Sequence, residues 1–186
     1  MRRRSILLSL AIGGALCFSG PAQASPEWRR HVAVEGYGSL LSGAERSPLL
    51  GPNAGWIVRA GASSGKWGGY LHVEQNLWLG TEYGAAVVPG ALNLGVGAEI
   101  RFADGLIRSS LAAGPSVLLF DTQLDAAGKV GVFFELRPLG LRWELSRHLR
   151  LGLDPLSLAV VAPVLSGIPL VRAQYRSAVL LEVVLP

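Results

Sequence analysis

The chain's titratable side chains recur in pairs two residues apart: His72 and Glu74, Glu99 and Arg101, Glu135 and Arg137, Arg142 and Glu144. A spacing of two puts both members of a pair on one face of a β-strand. A histidine beside a carboxylate is the base half of a Ser-His-acid set, the chemistry of acyl transfer and hydrolysis. His31 and His148 have no evident serine partner, and a lone histidine on a polar face is more often structural. The Glu–Arg pairs fit two other roles: a structural ion network, or the lining of a narrow polar pore. Metal and thiol chemistry have little to stand on. No His, Asp or Glu spacing matches a metal site, and Cys17 is the only cysteine. The Gly95-Val96-Gly97 glycines lack the strand-to-helix setting of a nucleotide loop, and are expected to relieve crowding where strands meet. We therefore expect no catalytic, cofactor-binding or metal-binding residues.

The elements that must hold these pairs are strands. The clearest is Ala86 to Arg101, where Val88, Leu92, Leu94, Val96, Ala98 and Ile100 alternate with Asn93, Gly95, Gly97, Glu99 and Arg101. Period two over this length exceeds the roughly 5–6 residues of an ordinary globular strand. It suits a tilted crossing of a bilayer, which needs about 9–11 residues. The same alternation runs from Val32 to Leu40, Trp56 to Gly61, Trp67 to Asn76, Leu106 to Phe120, Val130 to Leu145, Leu149 to Val160 and Val171 to Val183. The phase switches at Pro138-Leu139-Gly140 and again at Pro155. A β-bulge would do this, because one extra residue inverts the alternation. A turn dividing the strand is the alternative.

Arg2, Arg3 and Arg4, an apolar run from Ile6 to Phe18 and then Ala22-Gln23-Ala24 predict a secretory signal peptide over residues 1–24, leaving 25–186 as one domain. The apolar run is short for a spanning helix, which takes about 20 residues. Cys17 lies inside that leader, with Gly14 and Leu16 where a lipoprotein signal would want Leu and a small residue. Three of the seventeen Lys and Arg fall there and none of the thirteen acids does, so the mature chain carries a net charge of only +1. The high pI therefore does not point to nucleic acid. Past the leader no apolar stretch is long enough for a helical span, so any membrane crossing must be by a closed barrel.

About eight strands result, joined by connections that read long, short, medium, short, long, short, medium. Small outer-membrane barrels alternate long outer loops with short periplasmic turns in this way. Both chain termini would then lie on the periplasmic side. Trp67, Phe102 and Trp143 sit on the apolar phase beside the three short turns, and Trp56 beside the first long loop, as an aromatic girdle would. Alternation alone leaves two barrels open: apolar residues outward toward lipid, or inward as in a soluble lipocalin-like protein. Long strands, mixed charges within them and only two lysines, Lys66 and Lys129, favour the membrane form. The polar phase, with Arg59, His72, Glu74, Glu99, Arg101, Arg108, Glu135, Arg137, Arg142, Glu144, Arg172, Arg176 and Glu182, would then fill the lumen as a charge network.

On these features, over the whole mature chain, the sequence resembles the small OmpA/OmpX-type outer-membrane barrels. The resemblance implies an all-β fold, a single antiparallel up-and-down transmembrane barrel in a Gram-negative outer membrane. Its partners would be outer-membrane lipid and the outer-membrane assembly machinery; an oligomeric state does not follow. The expected role is structural or one of surface interaction, with no enzymatic activity. A narrow pore, a soluble periplasmic lipid-binding barrel and a lipid A-modifying enzyme are the other functions such a chain could serve. Barrels of this type often end in an aromatic residue, whereas this sequence ends Val183-Val184-Leu185-Pro186.

Overall fold

The computed structural model describes residues 28–43, 52–78, 88–119, 130–165, 168–169 and 171–185. The residues read as a signal peptide lie outside them. Eight long strands close into one antiparallel barrel: β1 (Arg29–Gly43), β2 (Pro52–Ser64), β3 (Trp67–Trp78), β4 (Val88–Phe102), β5 (Ile107–Leu118), β6 (Val130–Glu144), β7 (Leu149–Ala162) and β10 (Arg172–Leu185). Each pairs with its sequence neighbour, and β1 closes the ring by pairing with β10, from Arg30 opposite Leu185 to Gly43 opposite Arg172. Two short strands, β8 (Val164–Leu165) and β9 (Ile168–Pro169), form a separate hairpin between β7 and β10. No helix among the described residues is long and apolar enough to cross a membrane.

Closure follows from the pattern of side chains. Twelve to fifteen residues per stave give each strand a hydrogen-bonded neighbour on both sides, and a closed ring leaves no edge. The polar phase points in and the apolar phase points out. Trp67 and Val132 are 67% and 66% exposed, while Glu74 and Asn76 are fully buried. Three tight connections, at residues 65–66, 103–106 and 145–148, share one end of the barrel with Arg29 and Leu185. The first strand is longer than its alternation of Val, Gly and Leu predicts, because Arg29 and Arg30 already pair with Ser63 and Ala62.

Both phase switches are bulges within continuous strands. In β6, Arg137 and Gly140 point inward with Pro138 and Leu139 outward between them. In β7, Asp154 and Ser157 point inward around Pro155 and Leu156. The two bulges lie side by side, since Leu139 faces Leu156 across the strands. Proline suits a bulge because it has no N–H to give the ladder. Each bulge also frees a carbonyl, and a serine on the neighbouring strand takes it up. Ser109 Oγ donates to the Pro138 carbonyl at 2.6 Å, and Ser177 Oγ to the Pro155 carbonyl at 2.7 Å.

The turn after β4 differs from a simple Asp-Gly hairpin. Ala103 and Asp104 both adopt positive φ (48° and 55°) before Gly105 at 91°, and Leu106 N–H closes the turn on the Ala103 carbonyl at 3.0 Å. Inside the barrel, space is short. A Cβ at Gly97 would run into the Tyr70 ring, so glycine there lets the ring lie flat against β4.

Candidate functional site: the charged lumen

Twelve charged side chains are buried among the described residues. Six are arginines (59, 101, 108, 137, 142, 176) and six are acids (Glu35, Glu74, Glu99, Glu135, Asp154, Glu182). A buried charge is costly unless paired and hydrogen-bonded. The equal numbers let every one of them find an opposite partner, and the arrangement falls into two clusters.

The central cluster is built around Arg137. Its guanidinium on β6 reaches Glu35 Oε2 on β1 at 2.5 Å, Asp154 Oδ2 on β7 at 2.5 Å and Glu135 Oε2 on its own strand at 3.1 Å. Arg59 pairs with Glu35, and Arg142 with Asp154 at 2.5 Å. Above them Arg176 on β10 joins Glu135 at 3.1 Å to Glu74 on β3 at 2.6 Å. Glu74 Oε1 also accepts from Tyr37 at 2.7 Å and Asn76 at 2.5 Å, and its other oxygen meets His72 Nε2 at 3.2 Å. Gln174 continues the chain to Asn76 at 3.1 Å. The Arg176 guanidinium lies over the Tyr37 ring, 4.6 Å from its centre, and His72 stacks on Phe133 at 5.1 Å. The network thus braces opposite walls, linking β3 to β10 and β1 to β6, strands that share no backbone ladder, and taking in β2 and β7 as well.

The second cluster sits at the short-turn mouth. Arg101 pairs with Glu99 two residues away. Arg108 holds Glu182 through both terminal nitrogens, at 2.6 and 2.9 Å. Arg150 bridges Glu182 at 3.1 Å and Glu144 at 2.7 Å. No ion pair among the described residues joins this cluster to the central one. A cavity of about 10 Å³ lies between them, walled by His31, Ala33, Arg59, Tyr70, Glu99, Arg108, Arg142 and Glu182.

Of the polar-phase residues named from sequence, Arg59, His72, Glu74, Glu135, Arg137, Arg142 and Arg176 meet in the central cluster, and Glu99, Arg101, Arg108 and Glu182 at the mouth. Glu144 is a correction. Its side chain is 67% exposed, because it is the last residue of β6 and projects past the lumen at the rim. Arg172, at the opposite end of β10, is only half-buried. Two central acids fall outside that sequence-derived set. Glu35 shares the polar phase of β1 with Ala33 and Tyr37, so its placement was legible. Asp154 shares the polar phase of β7 with Arg150, ahead of the Pro155 switch, so its placement was legible too. The four girdle residues lie on the outer wall: Trp67, Phe102 and Trp143 beside the tight turns, and Trp56 in the other half of β2. The Trp56 indole donates to Gln75 Oε1 at 2.9 Å.

His72 meets Glu74 and stacks on Phe133, and Glu74 accepts from three further donors, Tyr37, Asn76 and Arg176. A carboxylate so engaged is a structural anchor rather than a general base free to accept a proton.

No protein-family model and none of the curated proteins match the chain. Among solved structures it is similar to the Neisserial surface protein A (NspA). The TM-score is 0.52 at 13% identity, over 83% of this chain and 96% of that one. The chain has the fold of a small eight-stranded outer-membrane barrel. Also matched is Ail, the attachment invasion locus protein of Yersinia pestis, solved with the heparin analogue sucrose octasulfate. There the TM-score is 0.46 at 8% identity, over 86% of this chain and 99% of that one.

Proposed function

We propose that residues 1–24 direct export and that residues 25–186 form an integral protein of a Gram-negative outer membrane, with a structural or surface-interaction role and a lumen plugged by its own side chains. One observation carries this reading: the barrel is polar inside and apolar outside. Twelve buried charges fill the interior, while Trp67, Leu71, Val96 and Val132 stand exposed on the wall. In water that wall would be a large apolar patch, and a soluble ligand-binding barrel has the opposite polarity. In a bilayer it meets lipid, and the ion network needs no hydrocarbon contact. The small-barrel fold adds support, and the similar NspA is itself described as a surface protein.

We assign the surface role to the end of the barrel opposite the tight turns, where the strands are joined by the longer connections of the sequence, at 44–51, 79–87, 120–129 and 163–171. Loops held on a rigid frame are where small barrels place recognition. Lipid and the assembly machinery are the partners this reading requires. We assign the barrel no catalytic role.

The test is fractionation followed by heat-modifiable migration. The protein is expected in the outer-membrane fraction, to need detergent for extraction, and to migrate differently before and after boiling. Recovery in the periplasmic fraction without detergent would refute the proposal. Planar-bilayer recordings should show no stable conductance. Discrete openings altered by Glu99→Gln or Arg101→Gln would replace the plug with a pore.

A further inference from the structure

We propose that the connection between β7 and β10 is a strap folded into the barrel, which closes the end of the lumen opposite the tight turns. This rests on the plugged membrane barrel proposed above and adds a backbone element to the plug. The chain leaves the wall at Pro163. The β6–β7 ladder ends with Val132 opposite Ala162, although β6 runs on to Val130, which stays paired with Val117 of β5. Proline has no N–H to give a further rung. Val164 and Leu165 pair instead with Pro169 and Ile168, a small ladder of the strap's own.

Where the strap goes follows from what it touches and what it leaves bare. β8 lies against β5. In the ring β6 stands between β7 and β5, and alternate strands of a sheet are about 10 Å apart. The chain must therefore cross β6, over its outer face or its inner one. The outer face is bare, with Val130 and Val132 60% and 66% exposed. On the inner face Gly131, between them, is buried, and a Cβ there would run into the Ala162 carbonyl and, at 2.7 Å, the Cα of Pro163. Pro163 itself is buried and Val164 half-buried. The crossing is over the lumen. The layer beneath suits an apolar strap. Val161, Phe133 and Ala91 form part of one buried apolar cluster, and the inward polar residues at this level, Asn93 and Ser116, carry no charge. A strap can settle there without stripping water from an ion. The tight-turn mouth, lined by Glu99, Arg101, Arg108 and Glu182, offers no such seat.

The experiment uses the full mature chain, folded in detergent, with one reporter thiol. Cys17, the only cysteine of the sequence, lies within residues 1–24, so an introduced cysteine is the sole thiol after the leader. Ser116 faces Gly131 across the β5–β6 ladder, at the crossing, and Ser63 lies at the opposite mouth; both are buried. A charged, water-soluble maleimide should label Ser116→Cys slowly in the folded barrel and fast after boiling. Gly131→Val, which puts a side chain where the strap crosses, should speed that labelling about tenfold, the factor equivalent to about 1.4 kcal/mol against the closed strap. Removing residues 164–169 should speed it further. Both changes should leave the labelling of Ser63→Cys unaltered. Equal rates at Ser116→Cys with and without residues 164–169 would overturn the strap. So would a matching acceleration at Ser63→Cys, which would mean that the whole barrel had loosened. Should Ser116→Cys fail to fold, Asn93→Cys, its partner across the β4–β5 ladder, reports on the same level. Labelling in detergent does not depend on where the protein fractionates, so the strap and the membrane barrel can fail separately.

Discussion

The two ion clusters use the same residue types and differ in depth. The central one ties six strands together, and its acids Glu35, Glu74, Glu135 and Asp154 each meet two or more arginines or an arginine and several neutral donors. The mouth cluster joins residues two apart on β4, reaches from β5 to β10 through Arg108 and Glu182, and grades outward through Arg150 to the exposed Glu144. The lesson is that strand parity puts charges inside a barrel, whereas distance from the mouth decides what each pair is worth. A central arginine cannot be rehydrated when its partner is lost, and a rim arginine can.

That contrast is open to attack by substitution. The largest effect is expected for Arg137→Met, which leaves Glu35, Glu135 and Asp154 short of a partner in the middle of the barrel. Breaking a buried pair from one side costs about 3–5 kcal/mol. Urea unfolding in lipid vesicles should report a loss of that order, and a loss under about 1 kcal/mol would remove the central cluster's bracing role. Arg176→Gln should follow closely, because Glu74 and Glu135 both lose a cation.

Intermediate effects belong to the bulges. Ser109→Ala and Ser177→Ala each remove the hydroxyl that satisfies a proline carbonyl on the outer wall. With no water in the bilayer to replace it, each should cost about 1–3 kcal/mol in vesicles. The same pair measured in detergent, where water reaches the wall, should cost less. Equal costs in the two media would mean that lipid does not face these serines.

The smallest effect is expected for Glu144→Gln at the rim. An exposed pair contributes about 0–1 kcal/mol, and added salt should erase the difference. Glu182→Gln, buried beside Arg108 and only one step inward, should fall between Glu144→Gln and Arg137→Met. If Glu182→Gln and Glu144→Gln proved indistinguishable, depth would not be the variable that separates the clusters.

Much of this was legible in the residues themselves. The period of two in AVVPGALNLGVGAEIR, from Ala86 to Arg101, marks β4 and its inward Glu99 and Arg101 without reference to any other strand. The tight connections at 65–66, 103–106 and 145–148 mark one end of the barrel. The Pro155 switch and Glu144 were not legible in the same way. At Pro155 an added residue inverts parity, and a bulge or a turn would each explain it; only the partner register, with Leu139 opposite Leu156, selects the bulge. Glu144 keeps the inward parity of Arg142, yet parity says nothing about where the lumen stops.

The sequence by itself determined which side chains share a face and that eight such strands must close, because alternation and the need to pair every edge are local rules. The tertiary structure alone decided partners. Arg137 reaches Glu35 across 102 positions of sequence, and Arg108 reaches Glu182 across 74. Those meetings depend on register and on closure of β1 against β10, which no single strand encodes. The same closure brings Arg59, Arg108 and Arg142, from three different strands, around the small cavity between the clusters.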